Sequence, residues 1–283
     1  MSVRHVLVVA NQKGGVGKTT TAVCLSAELA IAGYKTLIID ADPQGNASQC
    51  FLEQSTNSPG LSGALNPRPG LKLKLLTDCA VTTALVNLDI VPTGIELATF
   101  DRQQPMEAMT ALRRAIAMLD IDYDFVVIDT PPNLGLLLST ALIAATHVII
   151  PVEMGHFALV GFDDLIYALW SAKALNPELK LLGIVPTRLD KRTRRAAECH
   201  ELLHKIVAES RNCALLGINT AHITKTLIHE TSALGDCAKT HKPIQLFAPD
   251  SRGAEEHEAL CEELIERLQI NRHKFEVITG TNG

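Results

Sequence analysis

Charged residues make up only 20% of the 283 residues and aromatic residues 4%, with a single Trp. With 47% hydrophobic residues, so little charge excludes a disordered chain. The 26 Lys+Arg against 31 Asp+Glu leave a net charge of -5, which excludes an overall positive field; any contact with nucleic acid must be regional. The seven cysteines include no CxxC pair, so zinc ribbons and clustered iron–sulfur ligation find no support, and a reducing cytoplasm is the expected compartment. Long apolar runs are also scarce. The N-terminal one is short and leads into a glycine loop, so it reads as a first strand and not as a signal peptide. The stretch from Thr130 to Val152 carries no formal charge, but its prolines and polar residues divide it into a buried helix followed by a strand.

What the chain does have is an alternation of short Val/Ile/Leu runs with longer amphipathic stretches, the pattern of a mostly parallel sheet with helices on both faces. The expected strands are HVLVVA, TLIID, LDIVP, FVVIDT, HVIIPV and LLGIVPT. Helices are expected over Thr19 to Gly33, Asp101 to Leu119, Gly161 to Leu175 and Glu255 to Leu268, and Gln54 to Gly70 reads as a long surface loop. No second domain boundary is evident: one domain is expected over 1–283, with a core of about 3–268 and a tail from about 269.

The strongest local signal is NQKGGVGKTTT, from Asn11 to Thr21, placed after the first strand and at the start of the first helix. Gly14, Gly15, Val16 and Gly17 would form a phosphate cradle of backbone N–H groups. Lys18 would reach the β- and γ-phosphates, Thr19 would ligate Mg²⁺, and Thr20 would approach the α-phosphate. Two acidic motifs follow on strand ends. LIIDADPQGN carries Asp40 and Asp42, which would share a face if the strand persisted that far, and FVVIDTPPN carries Asp129 in the position of a Mg²⁺-holding carboxylate. Cys199, His200 and His204 could form a metal trio, but a surface helix carrying two histidines is the simpler account.

The usual pattern G-x-x-x-x-G-K-[ST] is not met in full, because Gln12 stands where its first glycine would be and a second lysine, Lys13, precedes the glycine pair. KGGVGKTT, DADPQGN and the Asp129 strand together resemble the ParA/MinD group of deviant Walker A ATPases, closest to the ParA/Soj partition type. The resemblance implies a P-loop NTPase-like fold and ATP with Mg²⁺. It also implies a nucleotide-sandwich homodimer in which Lys13 reaches the partner's phosphates, Asp42 orders the attacking water and Asp40 supports the Mg²⁺ shell. LLGIVPTRLDKRT resembles the segment that approaches the adenine, which implicates Pro186, Thr187 and Asp190. Glu230 to Pro243 retains the framework of the family's late EAPSFGKP-like stretch in altered and lengthened form. The basic run Arg188, Lys191, Arg192, Arg194 and Arg195 would give a dimer a surface for nonspecific double-stranded DNA. The implied function is a dimerisation switch that segregates or positions plasmid or chromosome cargo. A ParB-type partner would stimulate hydrolysis, and the protein would be cytoplasmic and nucleoid-associated when loaded with ATP. The C-terminal segment has only a brief apolar face, so no membrane docking is expected. The alternatives are a positioning ATPase for a protein cargo and an ATP-dependent metabolic synthetase of the dethiobiotin or cobyrinate type.

Overall fold

The computed structural model describes residues 5–53, 57–65, 72–94, 96–103, 106–153, 162–189 and 195–270. In chain order the elements are β1 (His5–Val9), α1 (Lys18–Ile31), β2 (Thr36–Asp40), α2 (Asn46–Gln49), α3 (Gly60–Leu65), α4 (Leu76–Cys79), β3 (Val81–Thr82) and β4 (Leu88–Val91). Then come α5 (Leu97–Gln103), α6 (Ala111–Ala117), β5 (Phe125–Asp129), α7 (Leu136–Ala144), β6 (His147–Glu153), α8 (Phe162–Lys173) and β7 (Lys180–Thr187). The chain closes with α9 (Arg195–Glu209), α10 (Arg211–Leu215), α11 (Cys237–Thr240), α12 (Ile244–Phe247) and α13 (Arg252–Arg267).

The strands form one sheet in the order β3-β4-β2-β5-β1-β6-β7, parallel except for β3, which pairs antiparallel with β4 at the edge. Alternate residues of each strand enter opposite cores, as the two-residue period of a strand requires. Val6, Val8, Leu37, Ile39, Val126 and Ile128 face the layer that contains α3, α6, α7 and α8. Leu7, Val9, Ile38 and Val127 face the layer that contains α1, α12 and α13. All six expected strands are present.

Two expected elements differ. The helix expected over Asp101 to Leu119 is divided into α5, a 3-10 segment at Met106–Thr110, and α6; Pro105 falls in the sequence between the first two and has no N–H to continue a helix. The expected surface loop over Gln54 to Gly70 contains α3, whose Leu61, Ala64 and Leu65 are buried in the core. Gly60 opens α3 at φ +60, and a Cβ there would lie 2.5 Å from the Thr93 carbonyl oxygen, so the small residues serve close packing instead of exposure. No helix among the described residues is long and apolar enough to cross a membrane. The expected tail beyond residue 270 lies outside the described residues.

Candidate active site

The sheet places its chemistry at the carboxyl ends of β1, β2 and β5. Asp40 ends β2 and Asp129 ends β5, as paired neighbours in register, and Val9 of β1 flanks Asp129 on the other side. From Val9 the chain turns into the glycine loop. Asn11 starts that turn, donating from Nδ2 to the Pro151 carbonyl at 2.7 Å and accepting the Lys13 N–H at 3.0 Å. Gly15 and Gly17 take φ of +78 and +90, where a side chain would be strained. Gly17 caps α1 and has no side chain to bond the first-turn N–H groups, which leaves the positive end of the helix to an anion. From the other side the Thr187 hydroxyl donates to the Val16 carbonyl at 2.7 Å, and Arg188 donates to the Gly15 carbonyl at 2.8 Å.

Lys18 is buried, with Nζ 2.8 Å from the Lys13 carbonyl oxygen; burial lowers its pKa, partly offset by Asp129 and Asp42. Lys13 points elsewhere. Its Nζ pairs with Glu153 Oε2 at 2.5 Å, and its side chain is 34% exposed. β2 does not persist to Asp42, so the shared-face argument does not apply. Asp42 instead begins a turn closed by Gly45 N–H donating to its carbonyl at 2.9 Å, and its buried carboxylate still lines the cleft.

The two strand-end carboxylates have different surroundings. Asp40 accepts the Ser48 N–H at 2.7 Å, the Ser48 hydroxyl at 2.6 Å and the Asp42 N–H at 3.2 Å; burial pushes its pKa up to about 6. Both Asp129 oxygens are buried without a hydrogen-bond partner. Burial, then the neighbouring Asp40, push its pKa well up, and the nearby Thr19 hydroxyl and Lys18 only moderate this. Beside the loop opens a cleft of about 500 Å³, within the usual range of small-molecule sites. Its second wall comes from Ile228 to Thr231, Leu234, Gly235 and His257.

The chain matches the AAA_31 family model, an AAA domain, over residues 4–181. It is 36% identical to the chromosome partitioning protein ParA of Myxococcus xanthus over 276 residues, covering 94% of this chain and 89% of that protein. It is 34% identical to the sporulation initiation inhibitor protein Soj of Bacillus subtilis over 263 residues, covering 92% and 97%. This chain belongs to the ParA/Soj family of ATPases. A similar solved structure is the cobyrinic acid a,c-diamide synthase of Mycobacterium smegmatis with bound ATP analogue and magnesium, at 29% identity and a TM-score of 0.76 over 94% of this chain and 96% of that one.

As a ParA/Soj ATPase it takes ATP and Mg²⁺, and its site fits both. The cradle would be strained by side chains at Gly15 and Gly17, and the buried Asp129 oxygens, which have no hydrogen-bond partner, are oxygen ligands of the kind Mg²⁺ takes. Of the sequence-expected residues, Gly14, Gly15, Gly17, Lys18, Thr19, Thr20, Asp42 and Thr187 line the cleft. Val16 is buried beneath the loop, and Pro186 is buried within β7. Arg188, expected on a DNA face, also lines the cleft and bridges the loop to Glu230 Oε1 at 2.5 Å. Asp190, Lys191, Arg192 and Arg194 lie outside the described residues, as does the side chain of Arg195 at the start of α9. His200 and His204 are ring neighbours on α9, and no cluster of three metal-ligating side chains occurs among the described residues. Sequence reasoning missed His229, Thr231 and His257. Glu230 and Gly235 marked that wall, but nothing marked His257, which reads as one more buried position of α13.

Proposed function

We propose that this ATPase is a nucleotide-gated dimerisation switch that, loaded with ATP, associates nonspecifically with DNA and moves a partition cargo until a ParB-type partner stimulates hydrolysis. The observation that carries the reading is the division of labour between two lysines. Lys18 is buried in its own loop, whereas Lys13 stands at the rim on Glu153, free of the cradle. A rim lysine released from Glu153 is available to the phosphates of a second copy. There it would offset charge developing on the transferred phosphoryl group. Relatives named for chromosome partitioning support the cargo class.

Within each copy the residues divide the work. The loop N–H groups and the start of α1 hold the phosphates, and Lys18 adds a cation deep in the site. Thr19 and Asp129 would hold Mg²⁺, which when bound neutralises charge shared between the β- and γ-phosphates. Asp40, occupied by Ser48 and the Asp42 N–H, orients the turn that carries Asp42. The Asp42 carboxylate, fixed by the Gln44 N–H at 2.9 Å, is the group to orient the attacking water.

The test is light scattering and DNA co-sedimentation with ATP, ADP and no nucleotide across a salt series. Wild type should dimerise and bind DNA with ATP alone, with affinity falling steeply as salt rises, and Lys13→Ala should lose dimerisation and stimulated turnover. An unaltered Lys13→Ala protein would overturn the switch. The likeness to the cobyrinic acid a,c-diamide synthase supports a second reading, an ATP-dependent synthetase. Turnover that rises with a small carboxylic acid and ignores DNA would favour that reading.

A further inference from the structure

Two thiols carried by different elements meet beside the cleft. Cys50, the C-cap of α2, and Cys237, the first residue of α11, are buried in the same apolar cluster. The Cys50 thiol donates a hydrogen bond to the Cys237 sulfur. The two elements are held together without the thiols: α11 packs on α2, and His241 at the end of α11 donates from Nδ1 to the Gln49 carbonyl at 2.9 Å. Cys50 also lines the cleft, with Gln44 and Asn46, and Leu234 and Gly235 of the second wall stand just ahead of Cys237 in the chain.

The pair is asymmetric. Donating to Cys237 is the largest influence on Cys50, whose pKa is raised, and burial adds to it. Accepting that bond lowers the Cys237 pKa; burial opposes this, and the Ile244 N–H at the start of α12 supports it. Cys237 is therefore the thiol that gives up its proton first, and the thiolate is the nucleophile. A third thiol, Cys24 of α1, is fully buried, and burial, then Cys237, raise its pKa well above the ordinary value, which keeps it out of the chemistry. No step of ATP binding or hydrolysis needs a thiol at these positions.

We propose that Cys50 and Cys237 are a peroxide-sensitive dithiol, reached through the cleft that Cys50 lines, which closes to an intramolecular disulfide on oxidation. The Cys237 thiolate attacks one peroxide oxygen, forming the S–O bond as the O–O bond breaks and hydroxide leaves. The Cys50 sulfur, giving up its proton, then attacks the sulfenic sulfur, forming the S–S bond and expelling a second hydroxide. The two thiol protons convert both hydroxides to water, so two thiols are oxidised and one hydrogen peroxide is reduced to two waters. A thiol reductant reverses the bond by exchange. The link ties the segment that follows the Asp42 turn to the second wall, so the redox state of one bond limits how far these two sides of the cleft can separate.

The experiment treats the folded full chain with hydrogen peroxide and maps its thiols by mass spectrometry without reductant. Wild type should give one cross-linked pair of peptides, containing Cys50 and Cys237 and two hydrogens lighter than their sum, and dithiothreitol should restore both thiols. Bound Mg-ADP, which fills the cleft, should slow the link several-fold. Cys24→Ala should still form it, whereas Cys50→Ala should stop at a sulfenic acid on Cys237 that dimedone traps. A map of wild type with Cys50 and Cys237 unlinked, whether or not other thiols are oxidised, would overturn the proposal. So would a link from Cys237 to Cys24 in its place, and both results decide even if a variant does not fold. A rate of linking unchanged by bound Mg-ADP would overturn the cleft as the route to the pair.

Discussion

Two aspartates that look alike in sequence make opposite predictions once their partners are known. Asp129 is a buried carboxylate without a hydrogen bond, so Asp129→Asn should melt no lower than wild type without Mg²⁺ and nucleotide, while Mg²⁺-dependent ATP binding is lost. Asp40 accepts three hydrogen bonds, so Asp40→Asn should lose about 1–3 kcal/mol in urea denaturation even before any ligand is added. The same residues set a pH dependence. The folded-state pKa of Asp40 lies near 6, above its ordinary 3.8, so the folded chain binds more protons than the unfolded one between these values. The contribution of Asp40 to stability is therefore fully favourable below 3.8 and is lost as pH rises to about 6. Mg²⁺ prefers the ionised pair, and Asp129 is raised as well. Mg²⁺ affinity should climb as pH rises, and binding should release protons, because burial and Asp40 push the Asp129 pKa well up; calorimetry in buffers of different ionisation enthalpy measures this. Proton uptake, or a flat profile, would contradict this.

Among the elements, α13 carries one wall of the cleft, and a single side chain fastens its far end. Arg267 donates to the carbonyls of Leu182, His222 and Ile223 and to Glu263, which in turn holds the Lys225 and Thr226 N–H groups. Burial raises the Glu263 pKa, but those N–H groups, the Thr226 hydroxyl and Arg267 outweigh it and leave it lowered. Arg267→Ala should cost about 2–4 kcal/mol in urea denaturation, and ADP affinity should fall with it because His257 rides on the same helix. Elements differed in how legible they were from sequence, for physical reasons. The six long strands are apolar on both faces, so their identity survives without context. β3 is two residues at an edge, fixed by the Thr83–Leu88 turn, too short to show a period. α3 has loop-like composition because Gly60 must pass close to Thr93. The glycine loop and Asp129 were legible as positions because each directly follows the apolar run of a strand, whereas Asp42 reaches the cleft through its turn to Gly45 and not through a strand face shared with Asp40. That Thr231 and His257 line the same cleft was not legible, since it depends on a loop and a helix distant in sequence packing together around Gly253.

At the scale of the whole molecule the Lys13–Glu153 pair becomes a barrier to assembly. If Lys13 serves a second copy, each protomer must break this bridge before the two can close. The pair is partly shielded, at 34% and 26% side-chain exposure, so the bridge is neither a negligible surface contact nor a buried lock. Glu153→Gln removes its charge while keeping size and hydrogen-bonding capacity. Releasing about 0.3–1 kcal/mol on each side should tighten the ATP-bound dimer about 3- to 30-fold in sedimentation equilibrium. The effect should be smaller at high salt, where the bridge is already screened. In a Lys13→Ala background, Glu153→Gln should change nothing, because the bridge is absent and the cross-protomer contact is lost with it. Non-additivity of that kind is what couples the two residues through one equilibrium. A Glu153→Gln dimer no tighter than wild type would mean that Lys13 stays on its own chain during closure, and a gain that persists without Lys13 would place the effect of Glu153 on some other contact.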